Sequence, residues 1–129
     1  MTARNEGYVK PILTTKLSSK LNDFEIINSG VAGDNTFDAL KRIEKDVVNH
    51  APDLVTILFG ANDAAFHKMI DLETYENNLI KIVHSISPKK TILISPSPVD
   101  EEQQFVRNNK TLSEYASIVK KVAETNGCY

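Results

Sequence analysis

The stretch "DLVTILFGANDA", residues 53 to 64, decides the fold. Leu54 to Phe59 reads as apolar on successive positions, the pattern of a strand buried on both faces of a parallel sheet rather than one with a wet face. Gly60-Ala61-Asn62-Asp63 follows at once, and its residue types favour a turn. Upstream, "NSGVAGDNT" at residues 28 to 36 repeats the order of events. There the short strand pattern Phe24-Glu25-Ile26-Ile27 runs into a glycine-rich turn and then into a helix signal. A permissive backbone is wanted at two strand ends.

Working outward, Val9, Ile12, Leu13, Leu17 and Leu21 lie at helical spacing, with Pro11 tolerable in a first turn. Phe37, Leu40, Ile43, Val47 and Val48 trace the apolar stripe of a second helix, with Asn35 or Thr36 as its cap. Pro52 and Asp53 break that pattern before the strand. Leu72, Tyr75, Leu79, Ile82, Val83 and Ile86 give a further helix ended by Ser87-Pro88, and Thr91-Ile92-Leu93-Ile94 another buried strand. A last helix from about Glu102 to Asn126 carries Leu112, Tyr115, Ile118, Val119 and Val122, with Asn126-Gly127 as its stop. Helices alternating with strands predict an open α/β sheet with right-handed crossovers, one domain over residues 1–129. In such sheets the active crevice lies outside the carboxyl ends of the strands, where both quoted turns fall.

Composition narrows the chemistry. With 41% hydrophobic and 25% charged residues, the 129-residue chain has ordinary globular usage. A formal charge of −2 supplies no basic face for phosphate backbones, so nucleic acid is not an expected partner. The single cysteine, Cys128, forms no internal disulfide and reads as a bystander thiol. The longest apolar run, Leu54 to Ala61, is too short to cross a bilayer, and Met1 to Glu6 lacks the apolar core of a signal peptide. The expectation is a cytoplasmic protein with no membrane association. "VDEE" at 99 to 102 reads as a solvated acidic loop without metal-ligand spacing, and no cofactor or metal is implied.

The turns offer donors. Gly33 precedes the helix that begins near Thr36, so its N–H is suited to an anion at the positive end of the helix dipole. Asn62 carries two amide N–H donors, and Gly60 permits close backbone approach. Two such donors make an oxyanion hole, worth roughly 2.7–4 kcal/mol per donor in acyl transfer. Glycine, Asn and Asp are equally the ordinary residues of turns, and Asp34 and Asp63 suit capping as well as chemistry. A phosphate-binding reading of "GVAGDN" lacks both the Lys-Ser/Thr of a P-loop and the third glycine of a dinucleotide fingerprint.

Taken together, N-x-G-x-x-G-D at Asn28 to Asp34 and G-x-N-D at Gly60 to Asp63 resemble the second and third blocks of the SGNH, or GDSL-type, hydrolases. The resemblance extends over most of the chain, through "TFDALKRIEKDVV" and "ILISPSP". It implies a flavodoxin-like three-layer α/β/α fold and ester hydrolysis by a Ser-His-Asp triad. It makes Gly33 and Asn62 the oxyanion-hole residues, with Asn28, Asp34, Gly60 and Asp63 in support. It also implies gaps: Met1 matches the position just after the family's G-D-S serine, and no D-x-x-H block precedes Tyr129. None of His50, His67 and His84 has Asp three residues before it. The first central strand and the last strand and helix are expected to be missing, together with the nucleophile and the catalytic Asp and His. An esterase or acylhydrolase fragment, inactive alone, is the first expectation, and a non-catalytic α/β ligand-binding module the second. Ser29, Ser95, Ser97 and His67 are not spaced to specify a substitute pair. An interior gap where a strand should pair leads to a further expectation, a homo-oligomer or strand-exchanged dimer. The substrate of the complete enzyme would be a small ester or acyl compound.

Overall fold

In the computed structural model, Gly7 and residues 9–129 are described, so the reading of Met1 to Ala3 lies outside the described residues. The chain divides into two compact units, residues 1–33 and 34–129.

The first unit holds one short helix, α1 (Ile12–Ser18). Pro11 is its N-cap rather than a first-turn residue, and the helix is two turns long, so the expected stripe is not one face of it. Val9 is fully exposed, Leu13 and Leu21 are also exposed, and the buried position is Thr14. The Asn28 amide donates to the Thr14 hydroxyl at 2.9 Å, and the Asn28 side-chain oxygen accepts from the Gly30 N–H at 2.9 Å. The strand expected at Phe24 to Ile27 is not formed: the segment has no regular structure, and Phe24 and Ile27 stand exposed. A strand exists by pairing its backbone with a neighbour, and the ladder among the described residues joins two later segments.

The second unit has the order α2 (Thr36–Asp46), β1 (Val55–Leu58), α3 (Leu72–Ile86), β2 (Thr91–Ile94) and α4 (Asn109–Asn126). β1 and β2 pair in parallel, Val55 opposite Thr91 through Leu58 opposite Ile94, with α3 as the crossover. Side chains alternate across a strand, so Val55, Ile57 and Leu93 share the face that α2 and α3 cover through Ala39, Leu40, Ile43 and Ile82. Between α3 and α4, Tyr75, Leu79, Val83, Leu112, Tyr115, Val119 and Val122 form the larger core cluster. The Tyr75 and Tyr115 rings meet at 4.8 Å and 51°.

The expectation of strands buried on both faces needs correction. Thr56 and Ile94 are exposed on the opposite face, as is Leu54 just before β1, because the helices of this unit pack on the Ile57 side. Phe37, expected in the stripe of α2, is also exposed, and the buried line of that helix runs through Thr36 and Ala39.

The helix ends follow their side chains. Asn35 closes a capping box with Asp38, Asp71 caps α3 through the Thr74 N–H, and Asn108 caps α4 through the Thr111 N–H. α4 thus begins at Asn109 instead of near Glu102. Residues 95–108 form a loop in which the Asn109 side chain bonds both the N–H and the carbonyl of Val99 and the Glu101 carboxylate accepts from the Asn109 N–H. The acidic segment is therefore exposed but contributes to starting the helix. Gly127, at φ +71°, ends α4 and turns the chain so that the Tyr129 backbone pairs with Thr91 and Leu93 on β2.

Candidate active site

The loop leaving β1 is built around one buried carboxylate. Asp63 Oδ1 accepts from the Thr36 N–H at 2.8 Å and from the Thr36 hydroxyl at 2.7 Å, while Oδ2 accepts from the Gly60 N–H at 3.0 Å. Thr36 is the first residue of α2, so the carboxylate takes an N–H that the helix itself leaves unpaired. The Thr36 hydroxyl in turn accepts from the Asn78 amide of α3 at 3.1 Å. Asp63 and Thr36 are fully buried and Asn78 nearly so. A buried anion is costly unless several donors surround it, and three do so here.

Tyrosines brace the same loop from below. Tyr75 donates to the Phe59 carbonyl at 3.2 Å, and Tyr115 donates to the carbonyl of Ile70. Burial, with the Asp63 carboxylate adding to it, pushes both phenols above the ordinary tyrosine value. They act as neutral donors. Gly60 has φ +116°, and a Cβ there would lie 2.8 Å from the Tyr75 hydroxyl and 3.0 Å from Pro96 Cγ. The close approach that Gly60 permits is therefore to its own core.

Asn62 is half-buried and held from two sides. Its Nδ2 donates to the Asp34 carbonyl at 2.7 Å, and its Oδ1 accepts from Arg107 Nη2 at 2.8 Å. Arg107 Nε also donates to the carbonyl of Ala61. The Asp34 carboxylate accepts from Arg42 Nε at 2.7 Å, and Arg42 Nη1 reaches Asp46 at 3.0 Å. Partial burial works against the Arg42 charge, but the hydrogen bonds to Asp46 and Asp34 outweigh it and raise its pKa.

Of the residues singled out from the sequence, the structure thus joins Asp34 to Asn62 and Gly60 to Asp63, each by a direct hydrogen bond. Asn28 is held inside the first unit, and Gly33, its last residue, is exposed at φ +88°. His50 and His67 are exposed in short 3-10 turns, and His84 Nε2 lies 2.9 Å from Asn126 Oδ1 at the far end of α3. Ser95 and Ser97 are exposed on either side of the buried Pro96. Burial raises the Cys128 thiol pKa, away from the reactive thiolate. Among the described residues no group of three His, Cys, Asp or Glu side chains gathers to hold a metal, and no helix is long and apolar enough to cross a membrane.

Sequence reasoning missed Thr36 as a ligand of Asp63, and it missed Asn78 and Arg107. Asn78 left a signal, a polar residue inside the apolar 75-79-82 stripe of α3, where an unpartnered amide would be expensive. Arg107 left none, since it lies in a loop assigned to helix.

The parallel α/β unit thus places a carboxylate-locked, donor-bearing loop at the carboxyl end of a strand, the position where open α/β sheets bind their ligands. The profile of the GDSL-like Lipase/Acylhydrolase family matches residues 3–129, and the chain belongs to that family. It is 30% identical over 115 residues to an acetylxylan esterase of Geobacillus stearothermophilus, covering 81% of this chain and 52% of the relative. It is 33% identical over 127 residues to a human isoamyl acetate-hydrolyzing esterase 1 homolog, covering 80% of this chain and 51% of that protein. Its structure superposes on a lipase/acylhydrolase from Enterococcus faecalis with a TM-score of 0.89 and 31% identity, over 98% of this chain and 68% of the other. An acetyl xylan esterase from G. stearothermophilus gives 0.72 and 26%, over 90% and 58%. The chain spans about half the length of these two curated relatives.

Proposed function

We propose that this chain is the oxyanion-binding part of a GDSL-type carboxylic-ester hydrolase, with the Gly33 N–H and the Asn62 amide as donors to the tetrahedral intermediate. The observation that carries the reading is the Asn62 side chain. It is fixed at a strand end, with its nitrogen on the Asp34 carbonyl and its oxygen on Arg107. An amide nitrogen has two N–H groups; Asp34 takes one and the reading gives the other to substrate. Asp34, Gly60 and Asp63 support this loop, and Asn28 supports the segment before Gly33. In the reaction, a serine oxygen attacks the ester carbonyl, a histidine takes its proton and returns it to the leaving alcohol, and the donors hold the negative oxygen. Water then repeats the sequence on the acyl-enzyme.

The serine, aspartate and histidine of that triad are, in this reading, not among the 129 residues. Its support is that His84 is engaged with Asn126, His50 and His67 lie in exposed turns, and none of the three follows an aspartate at the family's spacing. The same reading makes the chain self-associating, supported by the apolar residues Leu54 and Ile94 on the uncovered side of the sheet. The relatives are named for acetylated xylan and isoamyl acetate, which supports a short-chain acyl ester as substrate.

Hydrolysis of p-nitrophenyl acetate tests the proposal. The chain alone is expected to turn over no faster than its Asn62→Ala variant. Fused to the G-D-S and D-x-x-H segments of a GDSL relative, it should turn over, and Asn62→Ala should lower kcat by about 10²–10³. Fusion activity indifferent to Asn62→Ala would refute the oxyanion role. Activity of the unfused chain that Asn62→Ala abolishes would refute the absence of a nucleophile.

A further inference from the structure

We propose that Arg107 is a positioning residue that sets which way the Asn62 amide faces; this rests on the reading of Asn62 as an oxyanion donor. An asparagine side chain has nearly the same shape in its two flipped orientations, but only one presents N–H groups to a developing anion. Packing does not distinguish the two, so charge and hydrogen bonding must. Arg107 carries donors and no acceptor, so Oδ1 of Asn62 has to face it. The Asp34 carbonyl only accepts, so Nδ2 has to face that side. Both contacts are present, at 2.8 and 2.7 Å, and both select the same flip. Turning the amide over would set N–H against guanidinium and oxygen against carbonyl.

Arg107 is itself held in place. Its Nε donates to the carbonyl of Ala61, adjacent to Asn62, so two nitrogens of one rigid fork engage consecutive residues. Its backbone is clamped by Gln104, whose Oε1 accepts from the Arg107 N–H at 3.0 Å and whose Nε2 donates to the Arg107 carbonyl at 2.7 Å. The neighbouring Val106 carbonyl accepts from the Phe66 N–H at 2.9 Å. Residues 104–107 thus form a strap across the β1 loop with the guanidinium as its contact to Asn62. The bound guanidinium also withdraws electron density from the amide through Oδ1, making the remaining N–H a better donor.

The test uses the full 129-residue chain labelled with ¹⁵N and needs no turnover. The Asn62 NH₂ pair is identified by its loss in Asn62→Ala, and two neighbours in α3 calibrate it, the buried Asn78 pair and the exposed Asn77 pair. In the parent chain the heteronuclear NOE of the Asn62 pair should match that of Asn78. Arg107→Met, which keeps an apolar stem and removes every donor, should drop it to the Asn77 value with Asn78 unmoved. Arg107→Lys, with one flexible donor, should fall between. Gln104→Ala, which leaves the guanidinium intact but loosens the strap, provides a second route and should also lower the Asn62 value without touching Asn78. An Asn62 pair that stays rigid in Arg107→Met and Gln104→Ala, or that is already as mobile as Asn77 in the parent chain, overturns the proposal. Loss of esterase activity in the fusion does not enter this readout, so failure of the catalytic reading and failure of the positioning are told apart.

Discussion

Replacing Asp63 by asparagine should cost this fold a large part of its stability although the shape is unchanged. The carboxylate serves three donors, two on Thr36 through Oδ1 and the Gly60 N–H through Oδ2. An asparagine oxygen can keep the Thr36 pair, whereupon its NH₂ group confronts the Gly60 N–H, donor against donor. One charge-assisted bond is lost, worth about 1.5–3 kcal/mol, and the two bonds to Thr36 weaken as the charge goes. Relief of the buried carboxylate's desolvation offsets part of this, leaving a net loss of about 2–3 kcal/mol. Asp63→Ala strands three neutral donors in the interior, each costing about 1–3 kcal/mol when left unpaired, and should cost about 3–5 kcal/mol in all. Against the roughly 5–15 kcal/mol of a typical domain, the alanine variant approaches the limit of folding. Urea denaturation followed by far-ultraviolet circular dichroism at neutral pH gives both numbers, provided the m-value is unchanged. Asparagine within about 0.5 kcal/mol of the parent would show that the carboxylate charge contributes nothing and that the loop is held by packing.

Other outcomes follow from the same geometry. Gly60→Ala combines a left-handed backbone with a Cβ 2.8 Å from the Tyr75 hydroxyl and should cost about 2–4 kcal/mol. Gly33→Ala, where φ is +88° and a Cβ meets nothing within 4 Å among the described residues, should cost only about 1–2 kcal/mol; equal losses in urea melts would contradict this account. Burial raises the Tyr75 and Tyr115 pKa values in the folded state, so the unfolded chain releases those protons first as pH rises past about 10. Their stabilisation is therefore intact below that pH and declines above it. Absorbance at 295 nm should show them ionising only together with the loss of circular dichroism, whereas free ionisation of all four tyrosines in the folded chain would contradict their burial. Light scattering at micromolar concentration should give at least a dimer, and a monodisperse monomer would count against self-association.

What was legible in the sequence is what local rules determine. The stripe of α3, its stop at Ser87-Pro88, the strand at Thr91 to Ile94 and the cap read at Asn35 or Thr36, which falls on Asn35, all lie within a few residues of the signal that announces them. Phe24 to Ile27 carries a strand-like composition but makes no ladder, because pairing depends on a partner backbone that composition does not specify. The early start assigned to α4 has a related origin. Residues 102–108 read as helix, yet Gln104 bonds Val106 and Arg107 locally and offers the backbone an alternative that no periodicity reveals.

The site divides along the same line. Glycine at Gly33 and Gly60 and an amide at Asn62 can be read from residue type, because a positive φ and a double donor are properties of the residues themselves. In the reading proposed above, what turns an asparagine in a loop into an oriented donor is the pairing of Arg107 with Asn62, and what keeps that loop against α2 and α3 is Asp63 with Thr36 and Asn78. These partners lie 27 to 45 residues apart in the chain. Each is an ordinary residue for its own element: a threonine opening a helix, an asparagine within one, an arginine in a loop. Their role arises only after α2 has packed against β1 and the parallel crossover has brought the 95–108 loop beside the end of β1. On that reading a sequence motif specifies the proposed donor atoms while leaving their orientation to the fold, and the Arg107 and Asp63 substitutions separate the two: the first should loosen the Asn62 amide in an otherwise intact protein, whereas the second should destabilise the frame that carries it.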